Sequence, residues 1–447
     1  MPLSADNPRQ SLWGLLEQLD AKQIGDELHR FIAELYPLCR SITGEGIRET
    51  LRRVDAFAGL SLHEVPSGTQ VFDWTVPKEW NIKDAYIADL DGNRLVDFRD
   101  SNLHVVGYSA PIRQRLSREE LLQHLHSDSR HPEWIPYRNS YYQETWGFCV
   151  SHNQLATFND EEYEVCIDSS LAPGSLSYGE AYLPGATQRE VLISTHACHP
   201  SLCNDNLSGI AVAAMLLRHL RGISTRYSYR FLFVPCTIGP IAWLHEHQAL
   251  TSRIDHGLVL ACLGDSGGMT YVRSRRDTAD IDRVIQHVLA AGGDDYEIRQ
   301  FSPYGYDQRQ YCSPGFNLPL GCLMRTPNGE YPEYHTSADN LDLVKPDALA
   351  DSFARILTGL AALEDNKRYI AQVQHGEPQL GRRGLYGKAQ EYGLFWLLNY
   401  ADGAHSLLDI AEKSGLPFAK LAKGVSLLKG VDLLTEAPNT SRATPDT

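Results

Sequence analysis

The sequence predicts an α/β fold, a sheet covered by helices, interrupted by a β-rich insert and followed by a C-terminal winged helix. Three observations predict it. Between about residues 150 and 370, short apolar strand-like runs alternate with helical periodicity, the rhythm of an α/β sheet. Between 62 and 148 the segments are short, β-prone and separated by turns. After 372, three short helical patterns precede a β-prone run, the outline of a winged helix.

The elements follow in order. Leu12, Leu15, Leu16 and Leu19 recur at helical spacing, as do Leu28, Phe31, Ile32 and Leu35. The loop Cys39–Gly46 breaks this before a further helix through Val54. Residues 11–61 are therefore grouped with 149–371 as one discontinuous α/β domain. In the insert, 62–148, the turn Asp91-Gly92 separates β-prone runs, and Ser117 with Glu120 reads as a capping box before Leu121 and Leu122. In the α/β part, strands are expected around Val191–Ile193, Tyr229–Val234, Gly257–Cys262 and Leu318–Leu323, with helices between them. The winged helix is assigned to 372–436, and 437–447 reads as a flexible polar tail.

Composition narrows the function classes. The chain has 447 residues, 43% hydrophobic and 22% charged, as in an ordinary multi-domain globular protein. No apolar run reaches the roughly 18 residues of a membrane span. Met1 to Gln10 lack the basic and apolar regions of a secretory signal. Asp plus Glu number 56 against 41 Lys plus Arg, a formal charge of −15. Such a surface repels phosphate backbones, so no nucleic-acid partner is expected. Within the winged helix, Lys420, Lys423 and Lys429 are diluted by Glu391, Asp409, Glu412 and Asp432, so protein contact, including homo-oligomerisation, is expected there instead of DNA. Nine scattered cysteines without a CxxC pair fit reduced thiols and a cytoplasmic location.

Ligands of open α/β sheets bind beyond the carboxyl ends of the strands. Those ends carry His196, His199 and Asp205 in one loop, Cys236-Thr237 in a second, Asp265 in a third, and Glu330, Glu333, Tyr334 and His335 in a fourth. Imidazole and carboxylate are ligands of catalytic zinc. A lone histidine is more often hydrogen-bonded structure than a ligand, but candidates at successive strand ends favour a site. Asp205 also precedes a helix start, where it could cap. Cys198, Cys203 and Cys236 read as buried small apolar residues. The loop Tyr304–Tyr311 is either substrate contact or a buried anchor; Tyr306, Arg309 and Tyr334 are taken as substrate-binding candidates.

At these residues the chain resembles a family of bacterial aminopeptidase-like proteins related to the M28 zinc aminopeptidases. The matching segments are LYPLCRSITGEGIRETL (35–51), PSGTQVFDWTVPKEWNIKD (66–84), SYYQETWGFCVSHN (140–153), STHACHPSLCNDNLSG (194–209), and the stretches 304–314 and 329–340. The resemblance implies a phosphorylase/hydrolase-like zinc-peptidase sheet, an inserted β-rich domain and a C-terminal winged helix. It implies His196, with His199 a rival, as the first metal-binding histidine, Asp205 as the bridging carboxylate, Asp265 as the second aspartate and His335 as the late histidine.

Where the M28 pattern has a Glu-Glu pair, this chain has Cys236-Thr237. A general base and one ligand of a second metal are thereby replaced, and one zinc ion per chain is expected. A thiol or hydroxyl substitutes poorly for the carboxylate base, so Glu330, Glu333 or Asp307 is expected to serve. The expected activity is aminopeptidase-type hydrolysis of a short peptide or an aminoacylated biosynthetic intermediate. The alternative is a catalytically degenerate binding or scaffold protein.

Overall fold

The computed structural model describes residues 11–293 and 295–438; most of the expected tail lies outside the described residues. The chain divides into two compact units, the first comprising 19–279 and 297–353, the second 11–18, 280–296 and 354–438 of the described residues.

The first unit is built on an eight-stranded sheet. Its spatial order is Ser61–Pro66, Ser175–Leu183, Ser228–Val234, Glu190–His196, Ile254–Leu260, Leu320–Met324, Met269–Val272 and Tyr296–Arg299. The four strands from Ser228–Val234 to Leu320–Met324 run parallel, and antiparallel strands extend the sheet on either side. Every residue of Glu190–His196 and Ser228–Val234 is buried, as expected when helices cover both faces of a parallel sheet. Leu192, Leu232, Val259 and Leu320 form its core with Trp243.

Two helices show how the sequence supports this layer. Ala21–Leu35 is capped by the Asp20 carboxylate, which accepts from the Gln23 amide at 3.0 Å. Its buried residues Ile24, Leu28, Phe31, Ile32 and Leu35 form one stripe. Gly209–Leu220 is buried over almost its whole circumference. In the parallel register His196 stands opposite Val234, and Leu260 opposite Leu323. The loops that leave these strands therefore emerge side by side.

The insert has its own four-stranded sheet, in the order Arg94–Asp97, Glu79–Ala88, Glu162–Ala172 and Ile112–Ser117. Ala85, Val96, Phe148, Phe158 and Val165 fill its core. This shifts the expected boundaries. Ser61–Pro66 pairs into the large sheet, while Glu162–Ala172, beyond the expected end at 148, belongs to the insert. Long-range pairing decides which sheet a β-prone run joins, and local alternation carries no such information. The capping box forms as expected: Ser117 Oγ accepts from the Glu120 amide and the Glu120 carboxylate accepts from the Ser117 amide.

In the second unit Arg368–Ala371 is the central strand between Asp402–Ser406 and Leu434–Glu436, beside helices Leu394–Tyr400, Leu407–Ser414 and Phe418–Lys429. The winged helix thus starts before the expected residue 372. The unit also takes in Leu12–Glu17 and Asp280–Gly292, both assigned above to the α/β domain. Named contacts explain the reassignment. The Trp13 indole donates to Asp365 at 2.8 Å, and Arg283 pairs with Asp409 at 2.6 Å and Glu412 at 2.5 Å. Among the described residues no helix is long and apolar enough to cross a membrane.

Leu192 is fully buried in the central strand. Leu192→Ala is expected to cost about 2–5 kcal/mol, the usual range for a buried leucine that leaves a cavity, read as a lower urea midpoint.

Candidate metal centre

The strand Glu190–His196 ends on His196, and the loop after it delivers His199 and Asp205. Asp205 is wholly buried. Its Oδ1 lies 2.8 Å from His196 Nε2 and its Oδ2 lies 3.0 Å from His335 Nε2. The donor atoms of His196, His199 and Asp205 all lie within 4.8 Å of one another. The His199 ring stands 5.0 Å from that of His196 and 5.2 Å from that of His335. One carboxylate thus sits between two imidazoles from distant stretches of the chain, with a third beside them.

The loop is held from behind. Asp339 accepts from the Asn204 amide at 2.5 Å and the Asp205 amide at 3.0 Å, while its carbonyl accepts from Cys203. The Asn206 side chain donates to Thr195 Oγ1 and the His196 carbonyl. Arg40, itself 1% exposed, donates through Nε to the His199 carbonyl at 2.8 Å. Ser201, Thr237, Cys262 and His335 all have positive φ, a backbone conformation that costs free energy for non-glycine residues and concentrates at functional sites.

The electrostatics follow from burial and neighbours. Burial disfavours the Asp205 carboxylate, but His199, His196 and His335 outweigh it and hold its pKa well below the usual range. Burial also disfavours protonated His199, yet Asp205 and Cys198 lift it to about 9. Among the described residues no Lys or Arg forms an ion pair with Asp205. A buried carboxylate faced by imidazoles, with His196 Nδ1 left without a partner, is a donor set that fits a divalent metal.

The remaining candidates separate. Asp307 is 2% exposed; its Oδ1 accepts from the Thr237 amide at 2.9 Å and its Oδ2 has no partner. Burial raises its carboxyl to about 6 although His196 and the Thr237 amide pull it down. A carboxylate from a different loop therefore stands against Thr237, one of the two residues that replace the Glu-Glu pair. Glu330 is exposed and pairs with Arg299 at 2.5 and 2.8 Å, which holds its carboxyl below the ordinary range. A solvated carboxylate bound to a guanidinium is a weaker proton acceptor than a free one. Glu333 contributes its carbonyl, which accepts from the Thr336 amide and hydroxyl.

Asp265 stands in a hydrogen-bond network of its own. Its oxygens accept from Asn204 Nδ2 (2.9 Å), Thr326 Oγ1 (2.6 Å) and the Gly267 and Thr326 amides, so both are engaged outside the imidazole group. Tyr306 stacks on His196 with ring centres 5.0 Å apart, and Tyr334 on His335 at 4.0 Å. Arg309 donates to Thr237 Oγ1 at 3.2 Å. These three residues line the chemistry without contacting Asp205.

Sequence reasoning passed over several contributors. Tyr137, from the insert, donates its amide to the His335 carbonyl and sets its ring edge-on to His199 and His335. Asp339 lay within a matched segment, but its role is to accept backbone amides, and no residue pattern announces that. Arg40 stood in the first matched segment, and its buried reach to His199 is a purely tertiary fact.

The domain of unknown function DUF4910 matches residues 29–366, and a winged helix-turn-helix family matches 368–436. A protein of Clostridium acetobutylicum is 45% identical over 423 residues, covering 93% of this chain and 97% of its own; its name assigns it provisionally to polysaccharide biosynthesis, with an aminopeptidase-like domain. A crystal structure of a provisionally named peptidase from the same organism aligns with TM-score 0.92 at 44% identity, over 95% of this chain and 99% of that one. At the level of fold alone, the zinc aminopeptidase BSAP of Bacillus subtilis aligns with TM-score 0.54 at 12% identity over 76% and 94% of the two chains. A peptidase M28 precursor of Shewanella amazonensis aligns with TM-score 0.51 at 14% identity over 78% and 96%. The aminopeptidase-like sheet and the C-terminal winged helix are thus both present.

Asp339→Ala would leave the Asn204 and Asp205 amides without their acceptor. It is expected to lower stability by about 1–3 kcal/mol for each amide stranded in the interior, measured by chemical denaturation.

Proposed function

Since the chain belongs to the DUF4910 family, an aminopeptidase-like domain joined to a winged helix, we propose that it is a metal-dependent amide hydrolase of aminopeptidase type. The observation that carries this reading is the buried Asp205 carboxylate between His196 and His335, with His199 within reach. Three protein donors and one open position are what a catalytic zinc requires, and Asp205 with His196, His199 and His335 offers four candidates for those three places. Zinc bound there would supply Lewis acidity toward an amide carbonyl and toward the attacking water.

Asp307 is the residue proposed to take the proton from that water. Its Oδ2 is buried and free of partners, and its carboxyl at about 6 is poised close to neutral, where a general base works best. Tyr306 and Tyr334 are proposed to hold the substrate against the imidazoles they stack upon, with Arg309 steadying the Thr237 turn. The substrate class is a short peptide or an aminoacylated small molecule. The polysaccharide-biosynthesis name of the Clostridium relative supports an intermediate of a biosynthetic route. A cytoplasmic setting and independence from nucleic acid belong to the same proposal.

Metal analysis of the full chain is expected to find zinc, with one equivalent lost in Asp205→Asn and in His335→Ala. Metal-free protein with an intact fold would favour a binding role instead. Asp307→Asn should keep the metal and lower kcat against free-amino-terminal peptides by about 10²–10⁴-fold, the usual contribution of a general base. Because the base acts when deprotonated and its pKa is raised to about 6, turnover should fall as pH drops through that value. An acid limb that survives in Asp307→Asn would assign it to another group.

A further inference from the structure

The loops after the paired strands Glu190–His196 and Ser228–Val234 bring a second donor set together. His196 stands opposite Val234 in the register, and the Ala197 amide donates to the Val234 carbonyl at 2.9 Å. Two residues beyond each strand end, Cys198 and Cys236 therefore meet. Their sulfurs lie 3.1 Å apart, and the Cys236 amide donates to Cys198 Sγ at 3.2 Å. Both thiols are free. His199 Nδ1 lies 3.8 Å from Cys198 Sγ, and the donor atoms of all three residues are within 4.8 Å of one another.

The geometry points to a second metal site at Cys198, Cys236 and His199, rich in sulfur and suited to zinc or a softer ion. Two thiolates and an imidazole form a recognised donor set for zinc with one position open, and thiolate favours soft or borderline cations over hard ones. Tetrahedral zinc with bonds of about 2.3 Å to sulfur holds its two sulfurs roughly 3.8 Å apart, a small opening from the observed 3.1 Å. Assigning His199 to sulfur leaves the first centre Asp205 with His196 on one oxygen and His335 on the other. The replacement of Glu-Glu by Cys236-Thr237 would then exchange a hard second site for a soft one. The inference rests on the proposed function only in giving Asp205 a separate ion.

Cobalt(II) titration of the reduced, metal-stripped full chain tests it. The expected result is two equivalents bound and a sulfur-to-cobalt charge-transfer band. Cys236→Ser should lose the band and one equivalent, whereas Asp205→Asn should lose one equivalent and keep the band. A wild-type spectrum without the band overturns the sulfur site, as does a band that persists in Cys236→Ser. A band lost equally in Asp205→Asn overturns the separation into two sites. Retention of both equivalents in Asp205→Asn would instead sink the proposed function and leave the sulfur site standing. Independently of any variant, zinc should protect Cys198 and Cys236 from alkylation; equal labelling of both thiols with and without zinc overturns the proposal.

Discussion

Asp205 is the constraint around which the rest of the first unit is arranged. A carboxylate with no exposed surface is costly to bury, and leaving such a charge unpaired typically costs about 3–5 kcal/mol. Here the cost is offset by imidazoles on both oxygens and by a backbone pinned through Asp339. The partners come from two separate segments: His196 from a strand end, His335 and Asp339 from the loop beyond Leu320–Met324. The sheet's parallel register is what lets those elements end together.

The price of that convergence is seen in the backbone. Ser201, Thr237, Cys262 and His335 adopt positive φ at the loops that carry the donors. Such conformations persist only where surrounding contacts fix them. The Thr237 amide is held by Asp307, the His335 carbonyl by the Tyr137 amide, and the Cys262 amide by Asn206. The insert therefore has a reason to be where it is: its segment through Tyr137 closes the site over the late histidine.

Cys236 and Thr237 each meet a partner from elsewhere in the chain. Asp307 reaches Thr237 from another loop with one oxygen unengaged, while the adjacent Cys236 meets a second thiol. Both contacts join residues far apart in the chain, and a comparison of aligned positions alone would miss them.

What the sequence by itself determined is the set of local facts. Buried strands read as apolar runs, the Ser117–Glu120 box caps its helix, and His196, Asp205 and His335 fall at strand ends, where open α/β sheets place their ligands. Chain neighbourhood did not announce the partners of two carboxylates. Glu330 stands five residues from His335 yet faces Arg299 in solvent, and Asp265 leaves a strand end yet is captured by Thr326 and Asn204. The identity of a carboxylate's partner depends on which distant segment packs against it, and that was decided only by the tertiary structure. For the same reason the sheet membership of Ser61–Pro66 and Glu162–Ala172, the burial of Asp307 against Thr237 and the Cys198–Cys236 pair were invisible in one dimension, although Asp307 itself stood among the candidates: strand pairing and loop convergence are non-local, and no periodicity in the chain encodes them.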